Sequence, residues 1–287
     1  MRGGGTVQRP VVRTDGVSRI TLVGGVAWIT LLRTSLTVTL RTQPVDSGAR
    51  SVPRRGEQLI AGGRTADVLV RADGLLVKRS RSGRSLEAEA ALLHHLRQHG
   101  VPVPRVVQAD GPELVMEHVI GPTVAEELEA RPWRAAALGR LMARVHRMLD
   151  QVPAPPDLPR FGAGGDGLLH LDLHPNNVLL GPEGPVVIDW VDARRGDRAV
   201  DVAYSWLIVA SARLRSRYRL MRWAMLRAFL SGYDRDRLRA ALPQAVRYRL
   251  SGSALEPDER AAVRRVARRV LGRRSGGRGT DPDDVVG

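Results

Sequence analysis

The stretch His170–Asp189, HLDLHPNNVLLGPEGPVVID, constrains this chain more than any other. Two short apolar runs, Val178–Leu180 and Val186–Ile188, flank Gly181-Pro182-Glu183-Gly184-Pro185, which is dense in turn formers. That pattern predicts a tight antiparallel hairpin. Asn177 enters the first strand and Asp189 leaves the second, so both reach the same open end, on the order of 5 Å apart. Asp172 lies one short loop before Asn177. Two acids and an amide converging at one mouth form an oxygen-rich site suited to Mg²⁺ and a phosphate chain.

Of 45 basic residues, 44 are arginine and one is lysine, Lys78, in Leu75-Leu76-Val77-Lys78. Lysine is a compact point charge on a thin stem, whereas the arginine fork is planar and wider. A narrow strand position that must touch both phosphate oxygens and a carboxylate accepts lysine and not arginine. Upstream, residues 59–70 read as strand, glycine turn, strand, and bare backbone N–H groups at Gly62 and Gly63 could lie close to phosphates. Downstream, Ser85–His99 has helical spacing, with Leu86, Ala90, Leu93 and Leu96 on an apolar face. Glu87 and Glu89 both sit in its first turns, the usual place for acids, and either could reach back to Lys78.

Together these parts resemble the aminoglycoside phosphotransferase family of small-molecule kinases, over roughly Glu57 to Gly232. The elements that carry the resemblance are Gly62-Gly63, Lys78, Glu89–Leu96, Val101–Pro104, Leu114–Glu117, Leu141–His146, His170–Asn177, Ile188–Trp190 and Asp201–Ala203. The resemblance implies an α+β, bilobal protein-kinase-like fold, with a small β-rich N-lobe over 56–116 and a larger helical C-lobe over 117–272. It implies ATP and Mg²⁺ as cofactors and a small-molecule hydroxyl as acceptor. Asp172 would then receive the acceptor's proton, and Asn177 and Asp189 would hold Mg²⁺. Lys78, braced by Glu89 rather than Glu87, would hold the α- and β-phosphates. Leu114–Gly121 would connect the lobes, with the Glu117 carbonyl and Val119 N–H facing adenine and Met116 at its edge. His170 joins Asp172 as a candidate catalytic residue, more suited to holding the loop than to moving protons, and Asp201 would brace the same loop.

Two positions depart from the family pattern, which has glycine at both. Leu171 must pack a side chain beside the catalytic loop, and Asn176 tolerates positive φ better than other non-glycine residues. Neither change removes a reacting group. Three other readings compete with the small-molecule kinase. A protein Ser/Thr kinase would carry lysine where His174 stands. A non-catalytic pseudokinase would not need Lys78, Asp172, Asn177 and Asp189 together. The third is a basic nucleic-acid-binding protein.

Charge bears on that last reading. Residues 1–55 carry nine basic and two acidic groups, 56–203 carry 17 and 20, and 204–287 carry 19 and eight, for nets of +7, −3 and +11. The excess lies in the flanks, without a nucleic-acid motif, and specific nucleic-acid binding is not expected. Arg213, Arg215, Arg217, Arg219 and Arg222 read instead as the wet face of one amphipathic helix, opposite Leu214, Tyr218, Met221 and Met225. An Arg-rich C-terminal region also suits a neutral or anionic acceptor better than a polycation.

With no cysteine, the chain can form neither a disulfide nor a thiolate zinc site, and a cytoplasmic location is expected. Residues 1–55 read as a poorly ordered or loosely packed extension, with an extra strand over Ser35–Leu40. The apolar run Ile20–Leu32 is too short for a membrane span. Residues 273–287 read as a disordered tail.

Overall fold

The computed structural model describes residues 52–62, 65–252 and 255–272. The expectations for the extension, the strand over Ser35–Leu40, Gly63 and the tail lie outside these residues.

The N-terminal region is a five-stranded antiparallel sheet with one helix. Its strands are β1 (Glu57–Gly62), β2 (Ala66–Arg71), β3 (Leu76–Ser80), β4 (Val106–Asp110) and β5 (Glu113–Met116), in the order β1-β2-β3-β5-β4. Lys78 sits on β3, opposite Val68 on one side and Leu114 on the other. Period-2 alternation explains the split of this sheet: Leu69, Val77 and Val115 bury one face, while Lys78 and Leu114 turn to the other. Helix α1 (Glu87–Gln98) covers that second face with Ala90, Leu93 and Leu96, as the 3.6-residue period requires.

The C-terminal region is mostly helical. Helix α2 (Val124–Ala130) opens on a Thr123–Glu126 capping box. Helix α3 (Ala135–Leu149) packs on later helices through Leu138, Met142 and Leu149. Short strands follow: β6 (Arg160–Phe161), β7 (Gly167–Leu169), β8 (Val178–Gly181), β9 (Gly184–Val187) and β10 (Arg194–Gly196). β10 lies between β6 and β7, and β8 pairs with β9 and touches Thr123 through an isolated antiparallel bridge at Leu179. Helices α4 (Arg198–Ser211), α5 (Arg219–Phe229), α6 (Arg235–Ser251) and α7 (Pro257–Leu271) complete the core. No helix among the described residues is long and apolar enough to cross a membrane.

The expected hairpin forms, with Val178 opposite Val187 and Gly181 opposite Gly184, so its connection is only Pro182-Glu183. The strands extend further into the glycines than the apolar runs alone indicated. The single arginine-faced helix does not form. α4 stops at Ser211, whose hydroxyl donates to the Leu207 carbonyl, and Ala212 turns extended at ψ 136°. Ser216–Tyr218 is a 3₁₀ turn, and only Arg219 and Arg222 of the five arginines lie on α5. Arg222 is half-buried and donates to the Ala212 carbonyl at 2.9 Å, so it closes this corner rather than facing water.

Candidate active site

Strand β3 and helix α1 place a lysine and a carboxylate against each other. Lys78 Nζ donates to Glu89 Oε1 at 2.7 Å and Oε2 at 3.0 Å, and both residues are buried. Glu87, two residues earlier, faces solvent. The same ammonium reaches Asp189 Oδ1 at 3.2 Å. Burial works against the lysine's charge, but Glu89 and Asp189 overcome it and raise its pKa.

Asp189 follows β9 and has φ 64°, a left-handed backbone that turns its half-exposed side chain back toward Lys78. Ile188 N–H donates to the Asn177 carbonyl at 3.1 Å, which ties the two ends of the hairpin together. The Asn177 amide donates to the Asp172 carbonyl at 2.9 Å and to its Oδ2 at 3.1 Å. Lys78, Glu89, Asp172, Asn177 and Asp189 therefore form one linked group. Among the described residues, no set of three or more His, Cys, Asp or Glu side chains is arranged to hold a metal alone. A divalent cation here would take its remaining ligands from water and phosphate, as Mg²⁺ does.

The loop around Asp172 is anchored from below. His170, Leu171 and Leu173 are fully buried. His170 Nδ1 lies 3.2 Å from the Asp172 N–H, and Nε2 lies 3.1 Å from the Ile188 carbonyl. With Trp190 tilted against its ring at 4.4 Å, His170 has both nitrogens engaged and no open face for a substrate. Leu171 takes φ 57°, and its N–H donates to Asp201 Oδ1 at 2.7 Å. Asn176, by contrast, sits in the 3₁₀ turn Pro175–Asn177 without positive φ, so the left-handed tolerance of asparagine is not what this position uses. The strain falls on Leu171 and Asp189 instead.

Between the sheet and the helical region, Met116 ends β5 and is buried. Glu117 N–H donates to the Arg105 carbonyl at 2.8 Å. The connector then presses on the hairpin: Leu180 N–H donates to the Pro122 carbonyl, and a Cβ at Gly121 would stand 2.2 Å from the Leu180 oxygen. Only glycine permits that approach. Val119 Cγ1 lies against Gly181 of the same hairpin. Gly62 closes β1 near the Arg81–Asp67 ion pair.

Several residues near Asp172 were not singled out by spacing. His174 Nε2 lies 3.5 Å from Asp172 Oδ2. Burial opposes ionisation of Asp172, yet the fields of His174, His170 and Arg249 hold its carboxyl below the usual range. Asp192 shows the reverse: burial and the neighbouring Asp172 and Asp189 push its pKa up against the pull of Arg194. Arg249 favours the ionised form of Tyr204 against its burial, and the Tyr248 ring meets Phe161 edge-on at 4.9 Å and lies tilted to Tyr204 at 5.4 Å. Arg249, Tyr204 and Tyr248 come from α4 and α6, and only the fold brings them to the loop.

The phosphotransferase enzyme family model matches residues 57–166 and 153–241. No curated protein matches the chain. Among solved structures, the aminoglycoside phosphotransferase APH(4)-Ia, in ternary complex with AMP-PNP and hygromycin B, is similar at 14% identity and TM-score 0.55, covering 77% of this chain and 94% of that one. The streptomycin–ATP–APH(2″)-IIa ternary complex gives 14% identity and TM-score 0.53, covering 68% and 84%. APH(2″)-Ib with bound ADP gives 14% and 0.53, covering 80% and 91%. At such identity the likeness is one of fold, a protein-kinase-like α+β arrangement, while the family match spans both the sheet and the loop bearing Asp172. The chain belongs to the phosphotransferase enzyme family.

Proposed function

We propose that this protein transfers the γ-phosphate of ATP to a hydroxyl of a small molecule, neutral or anionic, in a Mg²⁺-dependent reaction. The observation that carries the reading is the buried Lys78–Glu89 pair, whose ammonium also reaches Asp189 beside the Asp172–Asn177 hydrogen bond. Lys78 would exchange part of its contact with Asp189 for phosphate oxygens of the nucleotide, with Glu89 fixing the ammonium. The Asn177 amide nitrogen donates to Asp172, which leaves Asn177 Oδ1 and the exposed Asp189 carboxylate as cation ligands. The cation would neutralise charge on the transferring phosphoryl group. Gly62 and Gly63 would offer backbone N–H groups to phosphates, and Met116, the Glu117 carbonyl and the Val119 N–H would border adenine.

Asp172 is ionised at neutral pH, partly buried, and free on one side to receive the acceptor's proton. His170 holds the loop rather than exchanging protons. Arg249 and Arg194 lie within electrostatic reach of Asp172 and Asp192, which supports an acceptor that is not a polycation. Calorimetric titration with Mg-ATP, followed by ATP-consumption screening against neutral, anionic and polycationic hydroxyl compounds, tests the reading. Binding of Mg-ATP with consumption driven by neutral or anionic compounds is expected. Absence of Mg-ATP binding would overturn the kinase reading, and turnover of polycations alone would overturn the acceptor class.

A further inference from the structure

We infer that Arg198 is the positioning residue that lets a leucine occupy the left-handed backbone position next to Asp172. Leu171 at φ 57° is strained, because its Cβ crowds the backbone where glycine would not. Such a conformation persists only when its surroundings over-determine it. Here the determinant is Asp201 Oδ1, which accepts the Leu171 N–H at 2.7 Å, and Arg198 governs Asp201.

Arg198 is the first residue of α4, where a cation opposes the helix dipole, so its charge needs another reason. Its guanidinium is used on all sides. Nη1 donates to Asp201 Oδ2 and to the Leu168 carbonyl, both at 2.6 Å. Nε donates to Asp150 at 2.9 Å, and Nη2 to the His146 carbonyl at 2.9 Å. His146 is fully buried and, with a pKa pushed down to about 3 mainly by burial, adds no competing positive charge. The arginine thus grips the strand entering the loop, through Leu168, and the loop itself, through Asp201. Its stem lies across Gly167, where a Cβ would meet Arg198 Cγ at 2.5 Å. The glycine in β7 makes room for the arginine, and the arginine holds the leucine three residues after Leu168. Lysine could not reproduce the fork.

The activity arm of the test rests on the phosphotransferase reading; the structural arm does not. Arg198→Met keeps the stem over Gly167 and removes every donor, and it is made alone and combined with Leu171→Gly. Hydrogen exchange of segment 168–177 needs no ligand, and Arg198→Met should speed Leu171 amide exchange at least about tenfold. Mg-ATP affinity should stay within about twofold, while single-turnover hydrolysis of ATP by water falls at least about tenfold. Adding Leu171→Gly should recover at least about threefold of that rate, since glycine needs no clamp at φ 57°.

Unchanged exchange in Arg198→Met overturns the inference, as does an equal loss of rate with leucine or glycine at 171. If Arg198→Met does not fold, Arg198→Lys is measured in the same way, with smaller changes of the same sign expected and unchanged values contradicting the clamp. Wild-type protein that fails to bind Mg-ATP would contradict the kinase reading, and the exchange measurement would still decide the role of Arg198.

Discussion

Lys78 Nζ stands 2.7 Å from Glu89 and 3.2 Å from Asp189, so one ammonium joins β3 and α1 to the end of the β8–β9 hairpin. Strand, helix and hairpin come from three separate stretches of sequence. The lysine is the point at which the sheet region and the loop bearing Asp172 become one site.

Replacing this lysine by the chain's prevailing cation should not be tolerated. Lys78→Arg places a planar fork in a strand-lined space already closed by Glu89, and ATP turnover should fall at least about tenfold, or roughly 1.4 kcal/mol. Steady-state ATP consumption measures this. Wild-type turnover would mean that the single lysine has no special role.

Glu89 and Glu87 should separate cleanly. Glu89→Gln leaves the Lys78 ammonium buried beside an amide and should cost about 2–3 kcal/mol in urea unfolding, whereas Glu87→Gln at the exposed position should stay within about 0.5 kcal/mol. The pH dependence has a definite sign. The pKa of Lys78 is raised by folding, so its contribution is complete below about pH 10, the unfolded lysine range, and is lost only as pH climbs through the higher folded value. Equal unfolding midpoints for the two variants would contradict the buried pair.

Much of this site could be read from the chain. The alternation His170-Leu171-Asp172-Leu173, the glycine-rich turn between apolar runs, and the 3.6-residue period after Ser85 are local patterns, and local patterns survive folding. The resemblance points to Glu89 over Glu87, and the helix phase explains it: Glu89 lies beside Ala90 and Leu93 on the buried side. What stayed hidden depends on tertiary placement. Arg249 and Tyr204 reach Asp172 from helices remote in sequence, and nothing in their spacing marks them. At Asn176 the residue type tells what the position tolerates, not which φ the 3₁₀ turn uses. The arginine-rich stretch after Ser211 kept a helical pattern, but the Ser211 hydroxyl and the extended Ala212 ended the helix.

Leu171 should invert the usual ranking of alanine and glycine. Either truncation empties a fully buried site, but alanine keeps the left-handed penalty of about 1 kcal/mol that glycine lacks. Leu171→Gly should therefore be at least as stable as Leu171→Ala in denaturant unfolding, although both fall below wild type. A clear advantage for alanine would show that φ 57° carries no strain here.

Asp201 should govern acid stability. Burial opposes its ionisation, but Arg198 above all, helped by the Leu171 N–H, holds its pKa below the usual carboxylate value. Its stabilisation is present above the unfolded value of about 3.9 and is lost as pH falls through the lower folded value. Asp201→Asn should flatten the unfolding free energy in that acid range relative to wild type. An unchanged acid profile would assign the loss to other carboxylates.

Asp189 should matter for nucleotide binding more than its exposure suggests. Asp189→Ala should weaken Mg-ATP binding at least about tenfold in calorimetry, while Asp166→Ala, at a carboxylate in the exposed ion pair with Arg160, should leave it within about twofold. Equal affinities would remove Asp189 from the cation site.

The most direct test of the account is single-turnover transfer of labelled γ-phosphate by Asp172→Asn, with the identified acceptor or with water in its place. The amide keeps the shape of the side chain but cannot take the acceptor's proton. Mg-ATP affinity within about twofold of wild type, with transfer slower by about 10² or more, is the predicted result. Transfer at the wild-type rate with unchanged binding would contradict the role of Asp172, and with it the reading of this loop as the catalytic centre.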